Sequence, residues 1–282
     1  TLWTEYRPFD ELPIVENPKS GFIQNCNSDP FQTTTGEDNP DETTFSENYG
    51  IEKWMTNRAR RAVELYGGDD SINHDEFFQY KYDKTYSEKS ELRRQVANFL
   101  DAQPSSNELK KELELLRQWN GEMAKDNRSA ALVLLTFRPR SNSSKQNTKH
   151  ERTLDQLQKA SEDLRKHFGR IDVEWGKVNR LVRGDKNLPL GGGPDTLRAI
   201  YGRPKEDGTL AGVAGDCFFQ FVEWDKDGNL RAWAINQFGG NPGNSDSPHY
   251  SDQASMFAEE KLRKVPFTRE EVRAKAKRTY RP

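Results

Sequence analysis

The spacing of apolar residues changes once along this chain, and that change limits the folds it can adopt. From Ile51 to a point near Lys186 the apolar residues recur every three to four positions, as on one face of a helix. Beyond it, aromatic and β-branched runs flank Asp225-Lys-Asp-Gly, the pattern of a β-hairpin. The sequence therefore predicts an α+β fold in which helices cover the face of a largely antiparallel sheet. The predicted helices span 51–66, 92–100, 109–119 and 154–168, and the predicted strands span 217–224 and 230–236.

Composition divides the chain into three segments. Residues 1–49 are rich in proline and end in a polar, acidic stretch, so we expect loops and short strands there. Residues 50–185 are predicted to be mainly helical, and residues 186–282 to hold the hairpin, a Gly/Pro-rich loop and a last helix. Ser105 and Thr268 each stand three positions before a Glu, which is the spacing of a capping box at the start of a helix.

The balance of residue types leaves two interpretations of the core open. Hydrophobic residues make up 33% of the chain, a low share for a self-sufficient globular protein, yet aromatic residues reach 11%. This balance suits a fragment that packs against chain outside it, and it also suits a domain with long polar loops. Because the chain opens with Thr1-Leu-Trp and no Met, we expect an excised or processed piece of a longer protein.

Charge and hydropathy argue against two classes of partner. Lys and Arg total 43 against 45 Asp and Glu, so no basic field is available to hold nucleic acid. The best apolar stretch, residues 130–137, is far shorter than the roughly 20 residues that a membrane helix needs. We therefore predict no nucleic-acid partner and no membrane span.

The two cysteines, Cys26 and Cys217, lie in unlike contexts and show no metal-ligand spacing. The sequence leaves a disulfide between them open, and two small buried side chains are the favoured interpretation. Gly191-Gly-Gly193 is not followed by the Lys of a phosphate loop, and the Asp225 turn lacks the final Glu of a calcium loop. From these patterns we predict no cofactor and no metal ligands.

Asn25 and Asn27 flank Cys26 directly after a short apolar step. An Asn side chain offers a neutral N–H donor that can be aimed at a developing oxyanion. On chemistry alone the favoured interpretation is that both residues serve turns, because Asn is common in loops.

Two further stretches carry candidate groups. An arginine of Asn57-Arg-Ala-Arg-Arg61 could orient an active-site amide through its fork of donors, or the run could be a solvated helix face. His249, in the polar loop at 242–253, could act as an acid or base, although a loop-stabilising role is favoured because no partner is identifiable.

A set of short stretches, spread in order over nearly the whole chain, carries a family resemblance. They are Asn17 to Pro30 with its Asn-x-Asn element, Asn57-Arg58, Trp119-Asn120, Gly191 to Pro194, Gly215-Asp216 and His249 to Gln253. Together they resemble the β chain of penicillin amidases and acyl-homoserine-lactone acylases, with Asn120 standing where the family usually has Asp. These enzymes are N-terminal-nucleophile (Ntn) hydrolases, and the glycine stretch looks most like the acyl-homoserine-lactone and aculeacin acylase branch.

The resemblance implies the C-terminal portion of an αββα Ntn-hydrolase fold, with a helical middle and strands of the central sheets. In the family, a Ser at the start of the mature β chain attacks an amide, and one Asn side chain helps to hold the oxyanion. By motif alignment that residue is Asn27, and the Arg that orients it is Arg58, with Arg60 and Arg61 as neighbours. The nucleophile is then expected upstream of Thr1, so the chain alone is expected to be inactive; a nucleophilic Thr1 is the less favoured alternative.

The implied partners are the N-terminal remainder of the same precursor, meaning its α chain and the start of its β chain, and a small-molecule acyl amide. Penicillin, an N-acyl-homoserine lactone or an acyl peptide would be the substrate type. No cofactor is implied, although a structural calcium in the full protein would use Asp38, and the expected location is periplasmic or secreted. A non-catalytic scaffold or binding fragment is the alternative from another functional class.

Overall fold

The structure, a computed structural model, describes residues 6–102, 108–137 and 150–279, with side chains described from Thr153 onward in the last range. The chain divides into two compact units. Unit 1 comprises Thr1–Trp175 and Gly192–Ala199, and unit 2 comprises Gly176–Gly191 and Ile200–Pro282.

Unit 1 contains the longer helices of the described chain. They are α1 (Asn57–Tyr66), α2 (His74–Lys81), α3 (Glu91–Asp101), α4 (Lys110–Arg117), α5 (Ala130–Phe137) and α6 (His150–Phe168). A short helix, α7 (Trp175–Val178), lies where the two units meet in sequence, and 3-10 turns occur between Phe9 and Tyr49. The helices predicted near 92–100, 109–119 and 154–168 are confirmed. Ser105 of the predicted capping box lies outside the described residues, and α4 begins after Leu109 without a side-chain cap.

The first helix begins later than the predicted range of 51–66. Thr56 is its N-cap, with an extended backbone (ψ 160°) and an Oγ1 that accepts a hydrogen bond from the Ala59 N–H. Such a cap satisfies one of the unpaired N–H groups at a helix start and contributes about 1 kcal/mol. The prediction of helix over 51–56 is therefore wrong, while the predicted stop at Gly67 is confirmed.

The apolar periodicity does not predict α2, because this short helix has only Phe77, Phe78 and Tyr80 as apolar residues, and two of them are adjacent. A capping box marks its start instead. Asn73 Oδ1 accepts from the Glu76 N–H at 3.1 Å, and the Glu76 carboxylate accepts from the Asn73 N–H at 2.9 Å. The local capping pattern was the signal that could have found this helix.

The core of unit 1 is built around α5, which is buried over Ala130–Leu134 and contacts α3, α4 and α6. A helix that is apolar on all sides is stable only when other elements cover it. The buried apolar side chains of the surrounding helices are Leu92, Val96, Phe99, Leu113, Leu115, Leu116, Leu157, Ala160 and Leu164. Each such side chain contributes about 1.5–3 kcal/mol, so this layer stabilises the packing of α3, α4 and α6 around α5.

Unit 2 holds two sheets. The strands are β1 (Asn179–Arg183), β2 (Lys186–Pro189), β3 (Ile200–Pro204), β4 (Leu210–Gly215), β5 (Phe218–Trp224), β6 (Leu230–Asn236) and β7 (Arg263–Val265). The first sheet has the order β2-β1-β4-β3 and the second the order β5-β6-β7. Only β1 and β4 pair in parallel among these strands, so the predicted largely antiparallel character is confirmed.

The predicted hairpin is confirmed as β5 and β6, which pair from Phe218↔Asn236 to Trp224↔Leu230. Its turn is closed by Asp225, whose Oδ1 accepts from the Asp227 and Asn229 N–H groups at 2.9 Å. Gly228 adopts a φ of 80°, which favours glycine. The Asp225 carboxylate therefore serves the turn, as predicted.

The helix that packs on the strands of unit 2 is α8 (Ala254–Ala258), which contacts β1, β2 and β6. The core beneath it consists of Leu181, Leu190, Ile200, Ile235, Ala254, Phe257 and Ala258. A last helix, α9 (Arg269–Lys275), begins at the predicted capping box of Thr268 and Glu271. In unit 1, by contrast, α3, α4 and α6 pack around another helix, α5. The expectation that these longer helices cover a sheet is therefore wrong within unit 1.

The cysteines correct one expectation. Both are free thiols; Cys26 is partly buried, whereas Cys217 is exposed, so the interpretation of two buried side chains is wrong for Cys217. Gln237 N–H donates to the Cys217 carbonyl at 2.6 Å, which places the thiol at the exposed end of the β5–β6 pair. Within the described ranges, no helix has the length and apolar character needed to cross a bilayer.

Candidate active site

The segment that carries Asn27 is shaped by its own side chains. Gln24 is buried, and its Nε2 donates to the Gln32 carbonyl at 2.9 Å while its Oε1 accepts from the Cys26 N–H at 3.0 Å. Asn25 Oδ1 accepts from the Asn27 N–H at 3.2 Å. Asn25 thus stabilises a turn, as its sequence context favoured. The Asn27 side chain, in contrast, is exposed, and its backbone φ is 56°.

Thr56 ties this segment to the start of α1. Its Oγ1 accepts from the Ala59 N–H and donates to the Cys26 carbonyl at 2.9 Å. One hydroxyl therefore caps the helix and holds the chain beside Asn27. The first turn of α1 and the Asn27 segment are fixed against each other within unit 1.

Arg58, on that first turn, reaches Asn27. Its Nη2 donates to Asn27 Oδ1 at 3.1 Å. A guanidinium has only donors, so the Asn27 atom that faces it is the amide oxygen. The Asn27 Nδ2 group is consequently directed elsewhere, and among the described residues it has no hydrogen-bond partner. The result is an exposed N–H donor on an oriented amide.

Asp195, which was not among the residues predicted from the sequence, holds Arg58 from the other side. Its Oδ1 accepts from Arg58 Nε at 3.1 Å, and its Oδ2 accepts from the Asn57 N–H at 2.8 Å. Its backbone carbonyl accepts from Asn57 Nδ2 at 2.8 Å. The Arg58 and Asp195 side chains are 23% and 29% exposed, so this ion pair serves geometry more than stability.

The buried Asn57 completes the support for this cluster. Its Oδ1 accepts from the Ser87 N–H at 2.8 Å, and its Nδ2 lies 3.3 Å from the Thr85 carbonyl. Asn57 therefore joins α1, the 85–87 strand-like segment and the Asp195 turn. Asp195 follows the Gly191–Pro194 stretch of the family resemblance, which is the one sequence signal that could have drawn attention to it.

The three neighbouring arginines are distinguished by their partners. Arg61 is held by Asp83 through two hydrogen bonds of 3.0 and 2.9 Å and by Glu64 at 2.8 Å, and the bond to Asp83 is the main cause that raises its pKa. Arg58 bonds to Asn27, whereas no described contact joins Arg60 or Arg61 to it. The geometry therefore brings together the pair predicted by motif alignment.

Cys26 lies next to this pair but has the wrong electrostatics for a nucleophile. Burial raises the pKa of its thiol, and Arg58 only partly opposes that effect. A thiol with a raised pKa is protonated at neutral pH, and the thiolate is the nucleophilic form. We therefore assign Cys26 a packing role beneath the site.

His249 belongs to a different arrangement, in unit 2. Its Nδ1 lies 2.9 Å from Asp252 Oδ2, and its backbone carbonyl accepts from the Asn241 N–H at 3.0 Å. The other Asp252 oxygen accepts from the Gly240 N–H at 3.2 Å. These contacts close the loop on itself and agree with the loop-stabilising interpretation.

Asp38, the candidate calcium ligand, has its Oδ2 bonded to the Lys19 N–H at 2.7 Å. In the part of the chain that the structure describes, no group of three or more His, Cys, Asp or Glu side chains is placed to hold a metal ion. The carboxylate of Asp38 therefore has a defined structural partner.

Comparison with known proteins assigns the family. The sequence model of the penicillin amidase family matches residues 1–274, nearly the whole chain, so the chain belongs to the penicillin amidase family. The family predicted from the ordered motifs is thereby confirmed.

Individual relatives resemble shorter parts of the chain. It is 32% identical over 110 residues to the acyl-homoserine lactone acylase PvdQ of Pseudomonas fluorescens, and 33% identical over 107 residues to that of Pseudomonas putida. Each alignment covers 36% of this chain and 13% of the relative, so the chain matches a small part of the relatives' length.

Among solved structures, a thermostable penicillin G acylase from Alcaligenes faecalis is similar with a TM-score of 0.52 and 15% identity. The similarity covers 100% of this chain and 60% of the acylase chain. At this identity the likeness concerns the fold alone, and it supports an α+β fold similar to that of penicillin acylase.

Proposed function

We propose that this chain is part of an amidohydrolase that cleaves an acyl amide by an N-terminal-nucleophile mechanism. Membership of the penicillin amidase family and likeness to proteins named acyl-homoserine lactone acylases support this. The substrate is of the penicillin, N-acyl-homoserine lactone or acyl-peptide type. In this proposal the chain provides the oxyanion-binding side chain and the groups that orient it.

The observation that carries the proposal is the hydrogen bond from Arg58 Nη2 to Asn27 Oδ1. When an amide is attacked, negative charge develops on its carbonyl oxygen, and a donor already fixed toward that position lowers the barrier. By holding the oxygen of Asn27, Arg58 turns the Nδ2 group outward as such a donor. Arg58 is therefore a positioning residue and Asn27 is the group that touches the reacting atoms.

Asp195 is a second positioning residue in this proposal. An unpaired guanidinium on a flexible stem would sample several rotamers, and each would turn the Asn27 amide differently. The Asp195 carboxylate bonds both Arg58 Nε and the α1 backbone at Asn57, so the guanidinium plane is fixed relative to the helix. Fixed geometry matters because a displacement of about 1 Å in a catalytic group can reduce a rate by roughly 10²-fold.

The nucleophile in this proposal is supplied by the N-terminal remainder of the same precursor. A Ser at the start of the mature β chain attacks the amide, and its own α-amino group takes the proton. The chain alone is accordingly inactive, and the complete protein is periplasmic or secreted. The short coverage of the curated relatives is consistent with a piece of a longer protein.

The test is steady-state kinetics of the complete enzyme that contains this chain, with an acyl p-nitroanilide as substrate. Asn27→Ala should lower kcat by about 10²–10³ with little change in KM, because one oxyanion donor is lost. Asn98→Ala, on an exposed position of α3, removes the same side chain elsewhere and should leave kcat unchanged. Wild-type turnover in Asn27→Ala would show that the oxyanion assignment is wrong.

A second measurement addresses the chain by itself. The purified 282-residue chain is expected to release no p-nitroaniline. Cleavage by that chain, abolished in Asn27→Ala, would contradict the proposal that the nucleophile lies outside it. If the complete protein also shows no amidase activity, the scaffold alternative replaces the enzyme.

A further inference from the structure

A cleft of about 580 Å³ lies in unit 1 between α1, α3 and α4. Its size falls in the range of roughly 300–1,000 Å³ that is typical of small-molecule sites. Arg60 lines this cleft, whereas Arg58 faces Asn27. Side chains two positions apart on a helix project to different sides, so the cleft is separate from the candidate active site.

The wall of the cleft carries an excess of positive charge. Five cations line it against a single carboxylate, Glu88; the cations are Arg60, Lys89, Arg93, Arg94 and Arg117. Arg94 pairs with Glu91, and Arg117 lies 4.0 Å from Glu114, so both have carboxylates outside the lining. The charge of the wall is therefore only partly balanced by the protein.

Arg93 is held in place at the centre of this wall. Its Nη2 lies 2.6 Å from Glu88 Oε1, and its Nη1 donates to the Asn120 carbonyl at 2.7 Å. Gly121 has a φ of 88°, and a Cβ at that position would collide with the Arg93 guanidinium. The absence of a side chain at Gly121 therefore leaves space for the Arg93 guanidinium, which the protein orients without a ligand.

Arg60 and Lys89 are the cations that the protein leaves unbalanced. Neither side chain has an ion pair or hydrogen bond with any residue in the described ranges; Arg60 is half-buried, whereas Lys89 is exposed. A partly desolvated cation without a counter-ion favours an anion, and a guanidinium fork matches the two oxygens of a carboxylate. Arg60 and Lys89 are therefore the cleft residues that would contact the anionic group of a ligand.

Part of the cleft wall is apolar. Val96, Leu116 and Trp119, which contribute to it, are 6%, 1% and 8% exposed as whole residues. An inorganic anion would leave the small exposed part of these side chains in contact with water, whereas an apolar tail would cover it. We propose that the cleft binds an organic carboxylate with an apolar tail, its carboxylate at Arg60 and Lys89. This proposal does not rest on the role of Asn27.

The experiment is calorimetric titration of the complete protein that contains this chain, with sodium octanoate, n-octanol and sodium acetate as probes. Octanoate should bind. We expect n-octanol, which lacks the carboxylate, and acetate, which lacks the apolar tail, each to bind at least about tenfold more weakly. Arg60→Gln/Lys89→Gln should weaken octanoate binding by about tenfold or more. The matched variant Lys53→Gln/Lys159→Gln, which removes two exposed cations of unit 1, should bind octanoate as the wild type does.

Asn27→Ala separates the cleft from the candidate active site. Octanoate affinity that survives in Asn27→Ala and falls in Arg60→Gln/Lys89→Gln supports the cleft, whatever the kinetics of Asn27→Ala show. Affinity lost in Asn27→Ala and kept in Arg60→Gln/Lys89→Gln places octanoate at the reaction site and overturns the proposal. Absence of octanoate binding to the complete protein, as when an acidic polypeptide segment fills the cleft, also overturns it.

Discussion

The Asn27 segment of unit 1 and the His249 loop of unit 2 both gather polar side chains, but they leave different atoms unpaired. At Asn27, the amide oxygen is held by Arg58 while the amide N–H group has no partner among the described residues. In the other loop, His249 and Asp252 bond each other at 2.9 Å, and the second Asp252 oxygen bonds the Gly240 N–H.

The difference separates a site from a closed loop. A group that recognises another molecule must be oriented by the protein and yet keep a hydrogen-bonding atom available. The Asn27 arrangement leaves an amide N–H, a donor suited to an oxyanion, whereas the His249 arrangement satisfies both Asp252 oxygens within the loop and leaves only the second ring nitrogen of an exposed imidazole. Polar residues are dense in both stretches of sequence, so density alone does not distinguish them.

Among the variants that compare these two regions, Arg58→Lys should produce the largest effect. A lysine has one donor group in place of a planar fork, so it cannot bond Asn27 and Asp195 in the same way. We expect kcat of the complete enzyme to fall by about 10², with KM nearly unchanged. His249→Ala, measured in parallel, should stay within about twofold of wild type, because a closed loop has no part in the reaction. Equal losses of kcat in Arg58→Lys and His249→Ala would contradict the distinction between the Asn27 segment and the His249 loop.

Asp195→Asn should have a smaller effect on the same enzyme. The amide of Asn keeps one acceptor oxygen, so either Arg58 Nε or the Asn57 N–H loses its partner, and the negative charge opposite the guanidinium is removed. We expect kcat to fall about tenfold. Asp252→Asn is the matched control, since it makes the same change in the other loop and should leave kcat unaltered. A purely structural role for Asp195 would appear as lost folding with unchanged kcat per active site.

The smallest expected effect is that of Asp252→Asn on the pH dependence of the stability of the folded protein. Burial alone would raise the pKa of Asp252, but hydrogen bonds from His249 and the Gly240 N–H outweigh it and hold that pKa below 3.8. A depressed carboxyl pKa stabilises the folded state above the unfolded-state pKa, and this stability is lost as the pH falls through the folded value.

Chemical denaturation at a series of pH values checks this expectation. Asp252→Asn should lower the free energy of unfolding by less than about 1 kcal/mol near neutral pH, because the pair is solvent-accessible. The difference from wild type should shrink as the pH falls below about 4. A difference that is constant over this range would show that the carboxylate charge of Asp252 does not stabilise the loop.

Local patterns predicted much of the secondary structure, because they depend on neighbours in sequence. The apolar spacing of α3 and α6, the turn at Asp225 and the capping box at Thr268 are all readable within a few residues. The start of α1 was missed because the Thr56 cap competes with an apolar series that continues upstream of it.

Only part of the candidate site could be predicted from the sequence, and the reason is physical. Asn27 and Arg58 came from motifs near the start of the chain, and their contact agrees with the motif alignment. Asp195 lies 137 positions after Arg58, and a single acidic residue in a loop carries no signal of such a distant partner. The charged cleft was also unreadable, because it draws residues from three helices that lie apart in sequence.

The backbone at Asn27 and Asp195 narrows the ways in which this site can be redesigned. Both residues have positive φ values, 56° and 61°, in the left-handed region where a Cβ is costly and where Asn, Asp and Gly are the most tolerant residues. Any other replacement would combine a change of chemistry with a change of chain path. Glycine at position 27 is therefore the substitution that deletes the amide with the least backbone strain. Measured beside Asn27→Ala, Asn27→Gly separates the loss of the amide from that strain.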